Sequence, residues 1–191
     1  ELNELFKDLL DIGSSNIRKG FSLNLNDKVN INHIIKRSIK LNQNFANNRN
    51  IKITTKIADK IADDNFVINL DGKRTKQILT NLISNAIKYS NENTEVKIIA
   101  DEIENKDNQK FLQIKVVDQG FGMTPNQIKL AFEKYQTIKN PNSNKVDSFG
   151  LGLPIVKELV RAQNGKIEVN SKPNYGTEVI ITFPNLNQNQ N

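Results

Sequence analysis

Asn81, Asn85, Lys88 and Tyr89 stand at i, i+4, i+7 and i+8, a spacing that gathers them on one side of a helix turning every ~3.6 residues. Leu82, Ile83, Ala86 and Ile87 fall on the other side, so the segment reads as an amphipathic helix whose apolar face turns to a core. The polar face carries groups that suit a nucleotide. A carboxamide oxygen is a hard, neutral ligand for Mg²⁺, an ammonium pairs with phosphate, and an aromatic ring packs against a base. Residues 81–89 alone fit a half-exposed surface helix equally well.

Two further elements extend the pattern. Asp118-Gln119-Gly120-Phe121-Gly122-Met123 follows the apolar run of residues 111–117, which alternates partly like a strand and so places an acid and two glycines at a strand end. Glycine there allows a sharp turn and a close ligand. Ser148-Phe149-Gly150-Leu151-Gly152-Leu153-Pro154 opens the apolar helix of residues 155–160, and glycine-rich backbone at a helix N-terminus offers unpaired N–H groups to phosphate. One Gly-x-Gly is a weak signal; three elements in this order, each beside the strand or helix it needs, point to a nucleotide.

The elements that position these groups follow from periodicity. Leu2, Leu5, Leu9 and Ile12 recur at spacings of three, four and three, either the seam of a helix packed on another helix or a helix folded on its own domain. A short strand is expected over residues 21–25. Asn32 is expected to cap a helix whose apolar positions are Ile34, Ile35, Ser38, Ile39 and Phe45, ending in the turn of residues 47–50. Strands are expected over 51–57 and 66–70, a helix from about Asp71, and hairpins over 95–117 and 165–183. These imply an α/β fold, a two-layer sandwich with a mixed, largely antiparallel sheet packed on helices. Residues 136–148 are polar and aperiodic, an ordinary surface loop or a lid over a bound triphosphate.

Composition narrows the class. With 191 residues and 37% hydrophobic content the chain can bury a core, and no apolar run approaches the ~20 residues of a membrane span. No cysteine is present, which excludes disulfides and thiolate metal sites and suits a reducing compartment, so a cytoplasmic location is expected. The net charge of +6 comes from scattered lysines without a dense basic tract, so no nucleic-acid partner is expected. The chain begins at Glu1, which suggests a piece of a longer protein and leaves membrane anchorage of the parent open. Residues 185–191 read as a polar, disordered tail.

Taken together, these motifs resemble the catalytic, ATP-binding domain of sensor histidine kinases, within the superfamily that also holds DNA gyrase, the Hsp90 chaperone and the MutL repair protein. Residues 81–90 resemble the family's N box, 118–123 its first glycine box, Phe132-Glu133-Lys134-Tyr135 its F box, 149–153 its second glycine box, and Gly176-Thr177 with residues 178–184 its final strand. Ser148 departs from the pattern, standing where the family commonly has the first of three alternating glycines.

The resemblance implies a Bergerat-type fold, with residues 1–20 as the end of a dimerisation hairpin helix, 21–184 as the catalytic domain, and ATP (or ADP) with Mg²⁺ as ligands. It implies Asn85 as metal ligand and, with Lys88 and Lys134, as catalytic residue. Asn81, Asn85, Lys88, Tyr89, Asp118, Gly120, Gly122, Met123, Phe149, Gly150, Leu151, Gly152, Leu153 and Thr177 would hold the nucleotide, Asp118 accepting a hydrogen bond from the exocyclic amine of adenine. The implied partners are the histidine-bearing hairpin, a response-regulator receiver domain and a second copy of the full-length protein. His33, followed by Ile34 and Ile35 rather than an acid, does not fit the phosphoacceptor and reads as a surface or cap-adjacent histidine. Alternatives are an anti-sigma-factor-type kinase, a hydrolytic ATPase, which would need an acidic base on the N-box helix where Gln77 and Asn81 stand, and a nucleotide-binding pseudokinase.

Overall fold

The computed structural model describes residues 23–25, 27–133, 136 and 151–185. In chain order the elements are β1 (Lys28–Val29), α1 (Ile31–Asn47), β2 (Lys52–Ile57), α2 (Asp59–Ala62), β3 (Ile68–Asn69), α3 (Gly72–Tyr89), β4 (Glu95–Glu104), β5 (Lys110–Val117), α4 (Pro125–Ala131), α5 (Gly152–Ala162), β6 (Lys166–Lys172) and β7 (Gly176–Pro184). Five strands form one mixed sheet in the order β2-β4-β5-β7-β6, and β1 pairs with β3 in a separate two-stranded sheet. Only the β2–β4 pairing is parallel; the other three are antiparallel.

Alternation along the strands decides which face is covered. Val96, Ile98 and Ala100 of β4, Leu112, Ile114 and Val116 of β5, and Ile181 and Phe183 of β7 are buried in one core with α1, α3 and α5. Their neighbours Lys97, Asp101, Gln113 and Lys115 point to the other face, as in a sheet solvated on one side. The expected two-layer α/β sandwich is what forms.

Helix α3 is the pivot. Thr75, Ile78, Leu79, Leu82, Ile83, Ala86 and Ile87 are its buried residues, and each fully buried Leu or Ile contributes roughly 1.5–3 kcal/mol. That stripe fixes the rotation of the helix about its axis, so Asn81, Asn85, Lys88 and Tyr89 are left on the half-buried side. Its start is fixed too: the Asp71 carboxylate caps the helix, accepting from the Arg74 amide at 2.9 Å and from the Asn24 amide at 3.2 Å. Buried Gln163, just past α5, accepts from the Asp71 amide at 2.8 Å and from the Thr75 hydroxyl at 3.3 Å, tying the two helices together.

Four local expectations change. The cap of α1 is Asn30, whose side chain accepts from the His33 amide at 3.0 Å; Asn32 is buried and donates to the Ala62 carbonyl at 3.1 Å. Phe45 is exposed, together with Leu41, because the buried stripe of α1 runs through Ile31, Ile35, Ser38, Asn42 and Ala46. Of the strand expected over 21–25, residues 23–25 are described and carry none, and the first strand among the described residues is β1. Asn185 is not loose: its amide donates to the Lys110 carbonyl at 2.8 Å and its side chain to Glu102 at 2.9 Å. Residues 1–20, assigned to a hairpin helix, and 186–191 of the tail lie outside the described residues. Among the described residues, no helix is long and apolar enough to cross a membrane.

Candidate functional site

The end of β5 delivers Asp118 into the interior. The amides of Gly120, at 2.9 Å, and Thr177, at 3.0 Å, both donate to its Oδ1, and the Asp118 amide returns a bond to the Thr177 carbonyl at 2.9 Å. Among the described residues no donor is bonded to Oδ2, which leaves an acceptor on a fixed carboxylate. Burial pushes the carboxyl up to about 6, with the two amide hydrogen bonds pulling the other way. Thr177 thus meets Asp118 through its backbone, while its hydroxyl pairs with Ser171 Oγ at 2.9 Å. Ser171 also accepts from the Met123 amide at 2.8 Å, so the loop after β5 is pinned to the β6–β7 hairpin.

The glycines around Asp118 are there for contact. A Cβ on Gly120 would stand 2.1 Å from the Tyr89 carbonyl oxygen, and one on Gly122, where φ is +64, 2.0 Å from the Lys172 carbonyl oxygen. Gly176, with φ of +88, closes the same way on the Asp118 carbonyl. Ser90 and Gly120 form an isolated antiparallel bridge, and the Tyr89 and Phe121 rings meet edge to face, centroids 5.6 Å apart. The end of α3 and the loop after β5 are therefore joined by backbone and by rings. The Lys88 ammonium lies 5.6 Å from the centroid of the Tyr89 ring.

The opposite wall is the first turn of α5. A Cβ on Gly152 would lie 3.2 Å from Asn85 Nδ2 and 3.5 Å from Oδ1, so the Asn85 carboxamide sits against the N-terminal backbone of α5, which has no side-chain cap. Asn81 Nδ2, one turn earlier, is buried with no hydrogen-bond partner among the described residues, a donor that a ligand could satisfy. Leu151 and Leu153 pack against the core and anchor this turn.

The structure thus brings Asn81, Asn85, Lys88, Tyr89, Asp118, Gly120, Gly122, Met123, Gly152 and Thr177 around one region, with Leu151 and Leu153 beneath it. Lys134, Phe149 and Gly150, and nearly all of residues 136–148 expected as a loop or lid, lie outside the described residues. His33 is elsewhere, exposed on α1 with Nε2 3.2 Å from Asp64 Oδ1. Ser171, Gly176 and Phe121 were not among the expected site residues; Gly176, beside Thr177, and Phe121, inside the 118–123 motif, carried a sequence signal and Ser171 did not. The set of donors is carboxamides and one buried carboxylate, and no group of three or more His, Cys, Asp or Glu that could hold a metal occurs among the described residues. A metal here would need oxygens supplied by a ligand.

Comparison with known proteins gives the family and the fold. The family described as histidine kinase-, DNA gyrase B-, and HSP90-like ATPase matches residues 70–187. The heme sensor protein HssS of Staphylococcus saprophyticus is 32% identical over 184 residues, 96% of this chain and 36% of that protein. The sensor histidine kinase WalK of Bacillus subtilis is 32% identical over 124 residues, 65% of this chain and 20% of that protein. The chain spans about a third or less of the length of these curated relatives. Full-length ShkA, crystallised in complex with AMPPNP, superposes with a TM-score of 0.72 at 26% identity, over 96% of this chain and 35% of that one. The Acinetobacter baumannii histidine kinase AdeS shares the fold, with a TM-score of 0.73 at 19% identity over 97% of this chain and 79% of that one.

Proposed function

The chain belongs to the histidine kinase-, DNA gyrase B-, and HSP90-like ATPase family, and from that premise we propose that it is the ATP-binding catalytic part of a two-component sensor histidine kinase. In this reading it transfers the γ-phosphoryl group of Mg-ATP to a histidine on a dimerisation hairpin, for relay to a response-regulator receiver domain, within a homodimeric parent. Residues 1–20 would be the end of that hairpin, and the domain would work in the cytoplasm.

The observation that carries the reading is the character of the helix facing the phosphates. From Gly72 to Tyr89, α3 holds no carboxylate, so it can position and neutralise a phosphoryl group but offers no base to activate water. Asn85 would hold Mg²⁺ through its side-chain oxygen alongside phosphate oxygens; the ion, when bound, neutralises charge on the transferred group. Asp118 Oδ2 accepts from the exocyclic amine of adenine, where guanine would present an oxygen. Tyr89, held edge-on by Phe121, lines the base. Lys88, and Lys134 from the F box, offset phosphate charge, and Asn81 Nδ2 has a donor to give. Gly120, Gly122 and Gly152, with Phe149, Gly150, Leu151 and Leu153, let backbone approach the nucleotide, Met123 and Thr177 closing its base end.

The test is phosphoryl transfer from labelled ATP to a separately supplied dimerisation hairpin containing its histidine. Transfer is expected with wild type and His33→Ala, and none with Asn85→Ala, whose fold should be intact because Leu82, Ile83, Ala86 and Ile87 carry the buried face. Deleting a half-buried polar side chain that lies off the buried stripe changes stability by about 1 kcal/mol or less, while a contact to a reacting phosphoryl group is worth several kcal/mol. Label lost with His33→Ala alone, or release of free phosphate without the hairpin at the same rate, overturns the assignment.

A further inference from the structure

Arg49 lies outside the residues matched by the family, on the turn that follows α1. An α-helix ends with carbonyls that have no partner within it and with the negative end of its dipole. At the end of α3 the Ser90 amide and hydroxyl both return to the Ala86 carbonyl, at 3.0 Å and 2.7 Å; the carbonyls that follow are those of Ile87, Lys88, Tyr89 and Ser90. One guanidinium takes three of them. Arg49 Nη1 donates to the Ile87 carbonyl at 2.7 Å and the Lys88 carbonyl at 2.5 Å, and Nη2 donates to the Ser90 carbonyl at 3.1 Å. The fourth, that of Tyr89, is the atom on which Gly120 closes.

The base of this clamp is rigid. The Arg49 amide donates to the Ala46 carbonyl at 3.1 Å, the Ile51 amide to the same carbonyl at 2.9 Å, and the Asn50 amide to the Asn47 carbonyl at 3.0 Å. Asn50 turns the chain with φ of 52. A planar fork of fixed donors can span carbonyls at the end of a helix in a way that a single ammonium cannot. The turn so held is the one that carries Lys88 and Tyr89, and its last residue bridges to Gly120, two residues from Asp118.

We propose that Arg49 is a positioning residue for nucleotide binding: its guanidinium fixes the last turn of α3 so that Lys88 and Tyr89 face the ligand and Gly120 seats against the Tyr89 carbonyl. The inference rests on the reading of that helix as the nucleotide site. Its test is ATP titration by calorimetry of the 191-residue chain, comparing wild type, Arg49→Lys, Arg49→Ala, Asp118→Asn, Lys88→Ala and the Arg49→Lys/Lys88→Ala pair, each at a temperature where circular dichroism shows it folded. Arg49→Ala should weaken ATP binding tenfold or more and Arg49→Lys at least threefold. In the Lys88→Ala background the Arg49→Lys loss should shrink, since residues acting through one another are not additive; a general loss of stability would leave folded molecules binding normally.

Should Arg49→Ala not fold, Arg49→Lys and the pair decide alone. If Arg49→Lys costs less than threefold, or its loss is undiminished without Lys88, the positioning role is wrong. Wild type and Arg49 variants binding alike while Asp118→Asn loses ATP would overturn the Arg49 inference and leave the site standing. No binding by wild type would overturn both.

Discussion

Replacing Asp118 by Asn should make the apo domain more stable and its nucleotide site worse. Burial raises the Asp118 carboxyl from 3.8 to about 6; at about 1.4 kcal/mol per pH unit the gap is worth about 3 kcal/mol. Because the folded value is the higher one, the carboxyl's contribution to stability is fully present below about pH 4 and is lost as pH rises through about 6. Asparagine cannot ionise, and its Oδ1 can still accept from Gly120 and Thr177. Asp118→Asn should therefore exceed wild type in stability by up to about 3 kcal/mol at pH 7.5, with the difference closing toward pH 4. Urea denaturation of both proteins across that range gives the difference directly, since every other titrating group is shared. For ATP the sign reverses: an amide donor replaces Oδ2 and faces the adenine amine, costing roughly 1–3 kcal/mol. Wild-type affinity, measured against Asp118→Asn so that the titration of ATP itself cancels, should fall about tenfold from pH 7.5 to pH 5, where only about a tenth of the carboxyl is ionised. A stability difference that does not change with pH would refute the account of Asp118 as a carboxylate held in the interior.

Two other substitutions separate contact from propensity. Gly152→Ala puts a better helix former at the first position of α5, worth less there than the about 1 kcal/mol of a helix interior, but its Cβ would press on Asn85 at 3.2 Å; thermal melting should hold nearly steady while ATP affinity drops several-fold, and unchanged affinity would show that Asn85 is not needed where it stands. Gly122→Ala combines φ of +64 with a Cβ 2.0 Å from the Lys172 carbonyl oxygen, so chemical denaturation should show a loss of about 2 kcal/mol or more, and a fully stable variant would mean that the loop can rebuild itself.

Much of this was legible because it is local. The cap at Asp71 precedes a helical stripe, and the Asn105–Gln109 turn separates two alternating runs, so the N-box helix and the β4–β5 hairpin could be read directly. Asn30 and Asn32 were not distinguishable in that way: both stand where the same helical pattern begins, and what separates them is the Ala62 carbonyl, thirty residues on, that claims Asn32 inside the first turn of α1. The outward turn of Phe45 depends on where α3 packs. The parallel β2–β4 pairing crosses over through α3, which periodicity does not report. Within the site, the spacing of Asn81, Asn85, Lys88 and Tyr89 was visible and their rotation followed from the buried stripe. Arg49 was invisible for the opposite reason, its partners lying 38 to 41 positions away.

Among the described residues, every non-glycine residue with a left-handed backbone is an asparagine: Asn50, Asn93, Asn108, Asn164 and Asn174. Asparagine visits that region at small cost, so wherever a turn has room the chain uses it, and glycine remains where another backbone lies against it. The two residues therefore divide evolutionary freedom between them. The turn at Asn108, at the tip of the β4–β5 hairpin, can drift to glycine or lengthen while the chain's path survives, whereas Gly120, Gly122 and Gly176 admit no side chain at all, asparagine included. The tip of that hairpin can therefore vary without touching the loop after β5, where backbone lies against backbone.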